Sequence, residues 1–359
     1  MERQVSRIKP LVSIILPTFN GERYIRQAID SILAQSYDNW ELIVQDNAST
    51  DRTASIVKEF KDNRIKYDVN PKNVGMAANF NLGIRRAKGE YLSLFSDDDR
   101  MLPDYLEKQI AHLEANPQIG FSFCTHYVIN EEGKRLYRPS HAWDDQYRRT
   151  PCVASPAIGL FLLLNYGCLP GTISTVVIRA NCLDRVGLFK EHYVMSLDWD
   201  MWIRLTACFG FGFLNERLVE VRMHPGQGQH ERGRLYGRIN EAFQCLNRLK
   251  EELLPYCGNE QPYWETRMRR GITRKYGQAF FHSIMRAFLS MDFKNAFSCW
   301  RLLRKEQGLL PPIIQWLAYL PARIKRRVSG RGKREMQTIF RNDEMDLYFK
   351  KYKTKGGAH

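Results

Sequence analysis

Residues 91–106, YLSLFSDDDRMLPDYL, constrain the fold more than any other stretch: an apolar run stops abruptly at three consecutive aspartates, and Pro103 and a fresh amphipathic segment follow. Tyr91, Leu92, Leu94 and Phe95 suit a strand covered on both faces, and Pro103 fits the first turn of the next helix with Asp104 beside it. Asp97, Asp98 and Asp99 then stand at the carboxyl end of a buried strand, where open α/β sheets place their ligands. Three adjacent carboxylates repel one another unless a cation or basic group compensates. Their oxygens are hard ligands, suited to Mg²⁺ or Mn²⁺ held jointly with substrate phosphates. An isolated triplet of this kind reads more simply as a solvated acidic turn or a helix cap, so the rest of the chain decides.

Two further strand-loop-helix units precede it. Residues 11–16, LVSIIL, form a β-branched run that opens at Pro17-Thr18-Phe19-Asn20-Gly21, and Tyr24, Ile25, Ala28, Ile29, Ile32 and Leu33 then recur at helical spacing. Residues 40–44, WELIV, read as a second strand, and DNASTD at 46–51 supplies a turn and a helix cap before Ala54, Ile56, Val57 and Phe60. Residues 70–75 are turn-like, 76–87 read as a helix, and Gly89 introduces the strand that ends in the aspartates. The fold class expected is therefore α/β, with a doubly wound, mainly parallel sheet. Strand ends in such a sheet lie side by side, which predicts that Thr18, Gln45, Asp46 and Asp97 to Asp99 converge on one ligand. Asn47 and Ser49 read as ordinary turn residues.

The run VSIILPTFNGERYIRQAIDSILAQSYDNWELIVQDNASTDRT, followed by NPKNVGMAANFNLGIRRAKGEYLSLFSDDDRMLPDYL, resembles the nucleotide-sugar-binding half of glycosyltransferase family 2. The resemblance is dense over about the first 110 residues, and scattered motifs extend it to about residue 230. It implies a GT-A (Rossmann-like) fold with a mixed sheet in residues 1–232; residues 233–359, by their helical periodicity and basic charge, read as a helical extension. It also implies an inverting enzyme that moves a sugar from a nucleotide-diphosphate donor, a UDP-sugar by expectation, to a hydroxyl with the help of a divalent metal.

Position by position, the resemblance sets Pro17, Thr18 and Phe19 against the nucleotide base, the aromatic ring able to stack on it. Gln45-Asp46 stands where the family more usually has two aspartates, the first accepting a hydrogen bond from the base. The Gln45 amide can accept from a uracil or thymine N3–H and can also donate. Asp97 and Asp98 match the pair that handles ribose and metal, with Asp98 as main metal ligand and Asp99 as support, while Ser96 replaces an aspartate that many relatives carry. Asn73, Gly75 and Asn79 match a stretch that turns backbone and amide groups towards the nucleotide, although Asn73 and Gly75 equally suit a plain turn. Residues 168–175, CLPGTIST, and the following VVIRANCLDRVGLF read as a loop, a strand and a short helical turn, in a region that faces the acceptor in the family.

In LDWDMWIRL, residues 197–205, Asp198 matches the family's general base and Leu197 replaces the usual first acid; the alternative for Asp198 is a helix cap. A base is needed because a sugar hydroxyl is a poor nucleophile until its proton is taken. VRMHPG at 221–226 resembles a basic motif that closes the family domain. His224 would there complete the metal site or contact the diphosphate, and Arg222 would hold the loop or the phosphate. His230 with Gly226 and Gly228 suggests a loop that closes over the donor.

Charge sets the expectations for partners. Lys and Arg number 54 against 39 Asp and Glu, a formal charge of +15, and residues 301–359 hold 15 basic against 5 acidic residues, or +10 of that total. Ile239, Phe243, Leu246 and Leu249, then Met285, Phe288 and Leu289, recur at helical intervals. Ile313, Ile314, Trp316, Leu317, Leu320 and Ile324 form an apolar face followed by Arg323, Lys325, Arg326 and Arg327. An interfacial helix on anionic lipid is the reading, against a helix packed on the catalytic domain with a basic rim. The N-terminal MERQVSRIKP has no apolar core of signal-peptide length, the scattered cysteines make no CxxC pair, and no window reaches the roughly 18 apolar residues of a spanning helix. The expectation is a cytoplasmic protein peripheral on the inner membrane face, acting on a glycan or lipid-linked acceptor in surface polysaccharide synthesis. No nucleic-acid recognition pattern is present. The chain is too short for a synthase that extrudes its own polymer. Gln45, Ser96 and Leu197 favour one alternative, a nucleotide-binding scaffold that keeps the fold but has lost turnover.

Overall fold

The computed structural model describes residues 9–136, 152–224 and 235–272, with residues 284, 291 and 297–301 beyond. In chain order the elements are β1 (Val12–Thr18), α1 (Ile25–Leu33), β2 (Trp40–Asp46), α2 (Thr53–Glu59), β3 (Ile65–Val69), α3 (Met76–Arg86), β4 (Tyr91–Leu94), β5 (Arg100–Met101), α4 (Tyr105–Ala115), β6 (Phe121–Ile129) and β7 (Val153–Ala154). There follow α5 (Pro156–Tyr166), β8 (Val176–Arg179), α6 (Cys182–Val186), α7 (Leu197–Phe209), β9 (Phe211–Arg222), α8 (Leu235–Leu253) and α9 (Gln261–Ile272). The chain divides into two compact units. One spans residues to 138, 151–154 and 170–225 and holds the whole sheet; the other takes 155–169 and the residues from 226 onwards.

Nine strands of the first unit make one sheet, ordered β3-β2-β1-β4-β8-β6-β9-β5, with β7 also on β9. β3, β2, β1 and β4 are parallel, whereas β8 runs antiparallel between β4 and β6. β6 and β9 are parallel, and β5 and β7 lie antiparallel on β9. This is a mixed, mainly parallel α/β sheet. Val12, Ile14 and Leu16 of β1 pack with Ile25, Ala28, Ile29 and Ile32 of α1 and with Tyr105 and Ile110 of α4 in one apolar core. On the opposite face α3 lies close on the strands, because Gly83 has no side chain: a Cβ there would stand 2.7 Å from Ile15 Cγ2. Helices thus cover both faces, and continuous apolar strands such as β1 and β2 follow from that.

The helix expected to begin at Pro103 begins at Tyr105, with Asp104 at its N-cap. Pro103 stays in the preceding turn, where its carbonyl accepts the Ser36 N–H at 2.8 Å. The two-residue strand β5 fills the interval between the aspartates and that turn.

In the second unit α5 packs on α8, and α5 is apolar all round, as suits a buried helix. Ile239, Phe243, Leu246 and Leu249 of α8 are buried, and a 3₁₀ segment, Leu254–Glu260, leads into α9. Met285, Phe288, Leu289, the amphipathic stretch 313–327 and the loop 226–230 lie outside the described residues. Among the described residues no helix is long and apolar enough to cross a membrane.

Candidate functional site

The carboxyl ends of β1 and β4 meet at Thr18 and Asp97. The Thr18 hydroxyl donates to Asp97 Oδ2, and Gly21 fits beneath the pair, since a Cβ there would lie 2.5 Å from Thr18 Oγ1 and closer still to Asp97 Oδ2. Burial, and then the neighbouring Asp98 charge, push the Asp97 carboxyl up to about 7, opposed by the Thr18 hydrogen bond and His224. Asp98 Oδ2 stands 3.2 Å from His224 Nε2, so residues 126 positions apart in sequence form one face. Phe19, the next residue along from Thr18, is 49% exposed.

Asp99 has a different environment from its neighbours. It is buried, its Oδ2 accepts the Ser174 hydroxyl at 2.6 Å and its Oδ1 accepts the Arg222 N–H at 2.9 Å. Burial, followed by the Asp98 charge, raises its carboxyl well above the usual range. Both oxygens serve the protein: Asp99 ties β9 and the 3₁₀ turn Ile173–Thr175 to the aspartate loop. Ser174 Oγ also accepts the Ser96 N–H at 3.1 Å. Arg222, fully buried, completes the brace. Its Nε donates to Asp98 O at 2.8 Å, Nη1 to Asn130 O and Glu131 O at 3.0 and 2.9 Å, and Nη2 to Gln27 Oε1 at 2.8 Å. The Tyr24 ring lies 4.3 Å from the Arg222 guanidinium and 5.1 Å from the His224 ring. Arg222 therefore holds the loop, one of the two roles expected for it.

The neighbouring strand ends carry a network of amides. Pro17 pairs in register with Gln45, and Thr18 with Asp46. Asp46 is buried, with Oδ1 accepting the Ser49 N–H at 2.8 Å and Oδ2 the Tyr67 hydroxyl at 2.6 Å. Gln45 points to the α3 side of the sheet, away from the Thr18–Asp97 pair. Its Nε2 donates to Asn70 Oδ1 at 2.9 Å, and its Oε1 accepts from Arg86 Nη1 at 3.3 Å. The amide oxygen considered for a base N–H is thus engaged within the protein. Asn79 is buried, donating to Gln45 O at 2.8 Å and accepting from Asn70 Nδ2 at 2.8 Å. Asn73 Oδ1 accepts the Gly75 N–H and Asn47 Nδ2, both at 2.9 Å, and so shapes the turn.

Asp198 occupies the first turn of α7, where its Oδ1 accepts the Trp199 N–H at 2.8 Å and the helix dipole favours an anion. Of the predicted site residues, the structure joins Thr18 to Asp97 and Asp98 to His224 directly, and sets Pro17 and Asp46 in the adjoining registers. Among the described residues no group of three or more His, Cys, Asp or Glu is arranged to hold a metal ion by itself. The Asp98–His224 pair nevertheless fits a divalent ion shared with a ligand. It offers one carboxylate oxygen and one imidazole nitrogen, a set that Mn²⁺ accepts, and leaves other positions to water and phosphate oxygens. Sequence reasoning passed over Gly21, Tyr24, Tyr67, Asn70 and Ser174. Of these, only Gly21, in a loop between strand and helix, carried a local signal.

Comparison with known proteins gives the class. Residues 13–164 match the family described as glycosyl transferase family 2. EpsE of Bacillus subtilis, which bears a glycosyltransferase's name, is 30% identical over 317 residues, covering 84% of this chain and 98% of its own. The chain belongs to glycosyltransferase family 2. An uncharacterized glycosyltransferase of Rickettsia typhi is 35% identical over 225 residues; the match takes in 61% of this chain but only 65% of that relative's length. Staphylococcus aureus TarS, residues 1–349, shares the fold at a TM-score of 0.53 and 14% identity, over 90% of this chain and 93% of its own. The same TarS segment in complex with UDP-GlcNAc aligns at a TM-score of 0.54 and 16% identity, over 82% and 92%.

Proposed function

We propose that the chain transfers a sugar from a nucleoside-diphosphate donor to a hydroxyl of a glycan or lipid-linked acceptor, with inversion at the anomeric carbon. The observation that carries the reading is the face formed at the ends of β1, β4 and β9 by Thr18, Asp97, Asp98 and His224. Asp98 and His224 would hold a divalent ion, whose contribution is to offset the charge that grows on the departing diphosphate. Asp97, held by Thr18, would receive the ribose, and Phe19 would cover the base. Asp198 takes the proton of the acceptor hydroxyl as its oxygen bonds to the anomeric carbon, and the bond from that carbon to the diphosphate oxygen breaks with its electron pair leaving on the nucleotide. No covalent enzyme intermediate is needed.

A UDP-sugar is the donor proposed, on the support of fold likeness to a protein crystallised with UDP and with UDP-GlcNAc. The acceptor and a place at an anionic membrane surface rest on family membership and on the +10 charge of residues 301–359. Calorimetric titration with UDP, GDP, dTDP and CMP, each with Mn²⁺ and then with EDTA, tests the reading. Metal-dependent binding of one nucleoside diphosphate is expected. Binding of none of them would refute it.

A further inference from the structure

Helix α3 contacts two parts of the first unit that sequence keeps far apart. Asn79 donates to Gln45 O at the end of β2, within the amide network beside the donor face. Two residues on, and so on a different side of the helix, Asn81 meets the segment that precedes α7. The Asn81 amide makes a closed pair of hydrogen bonds with one residue's backbone: Nδ2 donates to Phe189 O at 2.9 Å, and Oδ1 accepts the Phe189 N–H at 3.0 Å. Asn81 is 2% exposed and Phe189 3%. The Phe80 ring packs against Phe189 with centroids 5.4 Å apart.

The other side of that segment is gripped from α7 itself. Arg204 donates through Nη1 to Val186 O at 2.6 Å and Gly187 O at 3.3 Å, and through Nη2 to Leu188 O at 3.1 Å. Its Nε bonds Asp200 Oδ2 at 2.8 Å, in a pair that is buried on both sides. Asp200 is two residues from Asp198. An unbroken series of buried polar contacts therefore runs from the end of β2 through Asn79, α3, Asn81, the 186–189 backbone and Arg204 to the start of α7. Two of the links, Asn81 to Phe189 and Arg204 to the 186–188 carbonyls, are multiple, so their angles as well as their lengths are fixed.

We infer that Asn81 is a positioning residue for the reaction: by clamping Phe189 it sets where the first turn of α7, and with it the Asp198 carboxylate, stands relative to the bound donor. The inference rests on the proposed role of Asp198 as base. It assigns Asn81 no contact with donor, metal or acceptor. A carboxylate displaced by about 1 Å can lose roughly 10²-fold in rate while ligand binding elsewhere is untouched, and this separates positioning from general support of the fold.

The test compares wild type with Asn81→Ala and, in case that variant folds poorly, Asn81→Asp, which keeps the acceptor for the Phe189 N–H but loses the donor. Two readouts need no known acceptor. Calorimetry with UDP and Mn²⁺ should give dissociation constants within about twofold of wild type. Hydrogen exchange should speed up by about tenfold or more across residues 186–200, the scale of losing one buried hydrogen bond, with β1, β2 and β4 unchanged. Exchange at 186–200 that stays at the wild-type rate in both variants, or loss of UDP binding together with that segment, would overturn the inference. A third readout uses release of nucleoside diphosphate from UDP-, dTDP- and GDP-sugars into water. Where wild type turns over, Asn81→Ala should fall by about 10²-fold, and the Asn81→Ala, Asp198→Asn double variant should be no slower than Asp198→Asn alone. Additive losses would sink it. If wild type binds no nucleotide, the proposed function fails, whereas normal binding with an unmoved 186–200 segment fails the inference alone.

Discussion

Gly21→Ala is the smallest change that separates the donor face from the rest of the fold. The added methyl would sit 2.5 Å from Thr18 Oγ1 and nearer still to Asp97 Oδ2, against the 3.4 Å or more of ordinary contact. Neither atom is the far end of a flexible side chain: Thr18 lies in β1, is 3% exposed and is stiff at its first dihedral, and Asp97 is bound to it. The methyl must therefore open the Thr18–Asp97 bond by close to 1 Å. Overpacking of this kind costs about 1–3 kcal/mol in stability, or a fall in Tm of roughly 2–12 °C for a domain of this size. The lost bond accepts at a carboxylate and contributes about 1.5–3 kcal/mol. If that geometry is what receives the ribose, UDP binding should weaken by about 10- to 150-fold. Thermal unfolding and calorimetry with UDP and Mn²⁺ on the same preparation measure both. A variant that keeps its Tm within a degree and binds UDP as wild type does would refute the packing argument and the role given to Asp97.

Three further outcomes follow. Arg222→Met removes the donors to Asp98 O, Asn130 O, Glu131 O and Gln27, leaving these partly buried acceptors without them; it should cost about 3–5 kcal/mol in urea unfolding, and Arg222→Lys should recover only part. Glu41 is buried, which alone would raise its pKa, but Lys66, the Ser13 hydroxyl at 2.5 Å and the Lys88 N–H at 2.8 Å outweigh that and lower it. Its contribution is therefore full above the unfolded carboxylate pKa and is lost as pH falls through the lowered folded value; Glu41→Gln should flatten the stability profile below about pH 4.5, measured by urea titration. Asp198→Asn should cut turnover on any competent donor by at least about 10²-fold while leaving UDP affinity within twofold, as read by coupled release of nucleotide.

The sequence made the first half of the fold legible because its strands are continuous apolar runs and its helices keep a clear period. LVSIIL, WELIV and YLSLF became β1, β2 and β4. β3 escaped notice for the opposite reason: no residue of the edge strand IKYDV is buried, and it carries two charges. β6 and β9 were missed as well. The Thr18–Asp97 and Asp98–His224 pairs join motifs that were each visible locally. What closed the site was not visible. Ser174 reaches Asp99 across 75 residues and Arg222 reaches Gln27 across 195, and nothing in the composition near either marks a partner so distant. The partners of Gln45 were equally hidden: strand alternation turns it to the face that α3 covers, where Asn70 and Arg86 take its amide.

The central claim is that Asp98 and His224 hold a divalent ion against a nucleoside diphosphate. Parallel calorimetric titrations of wild type and Asp98→Asn with UDP, in Mn²⁺ and in EDTA, test it most directly. The account predicts that wild type binds tightly only with Mn²⁺, and that Asp98→Asn binds weakly whether or not Mn²⁺ is present. Equal, metal-independent affinity in the two proteins would contradict it.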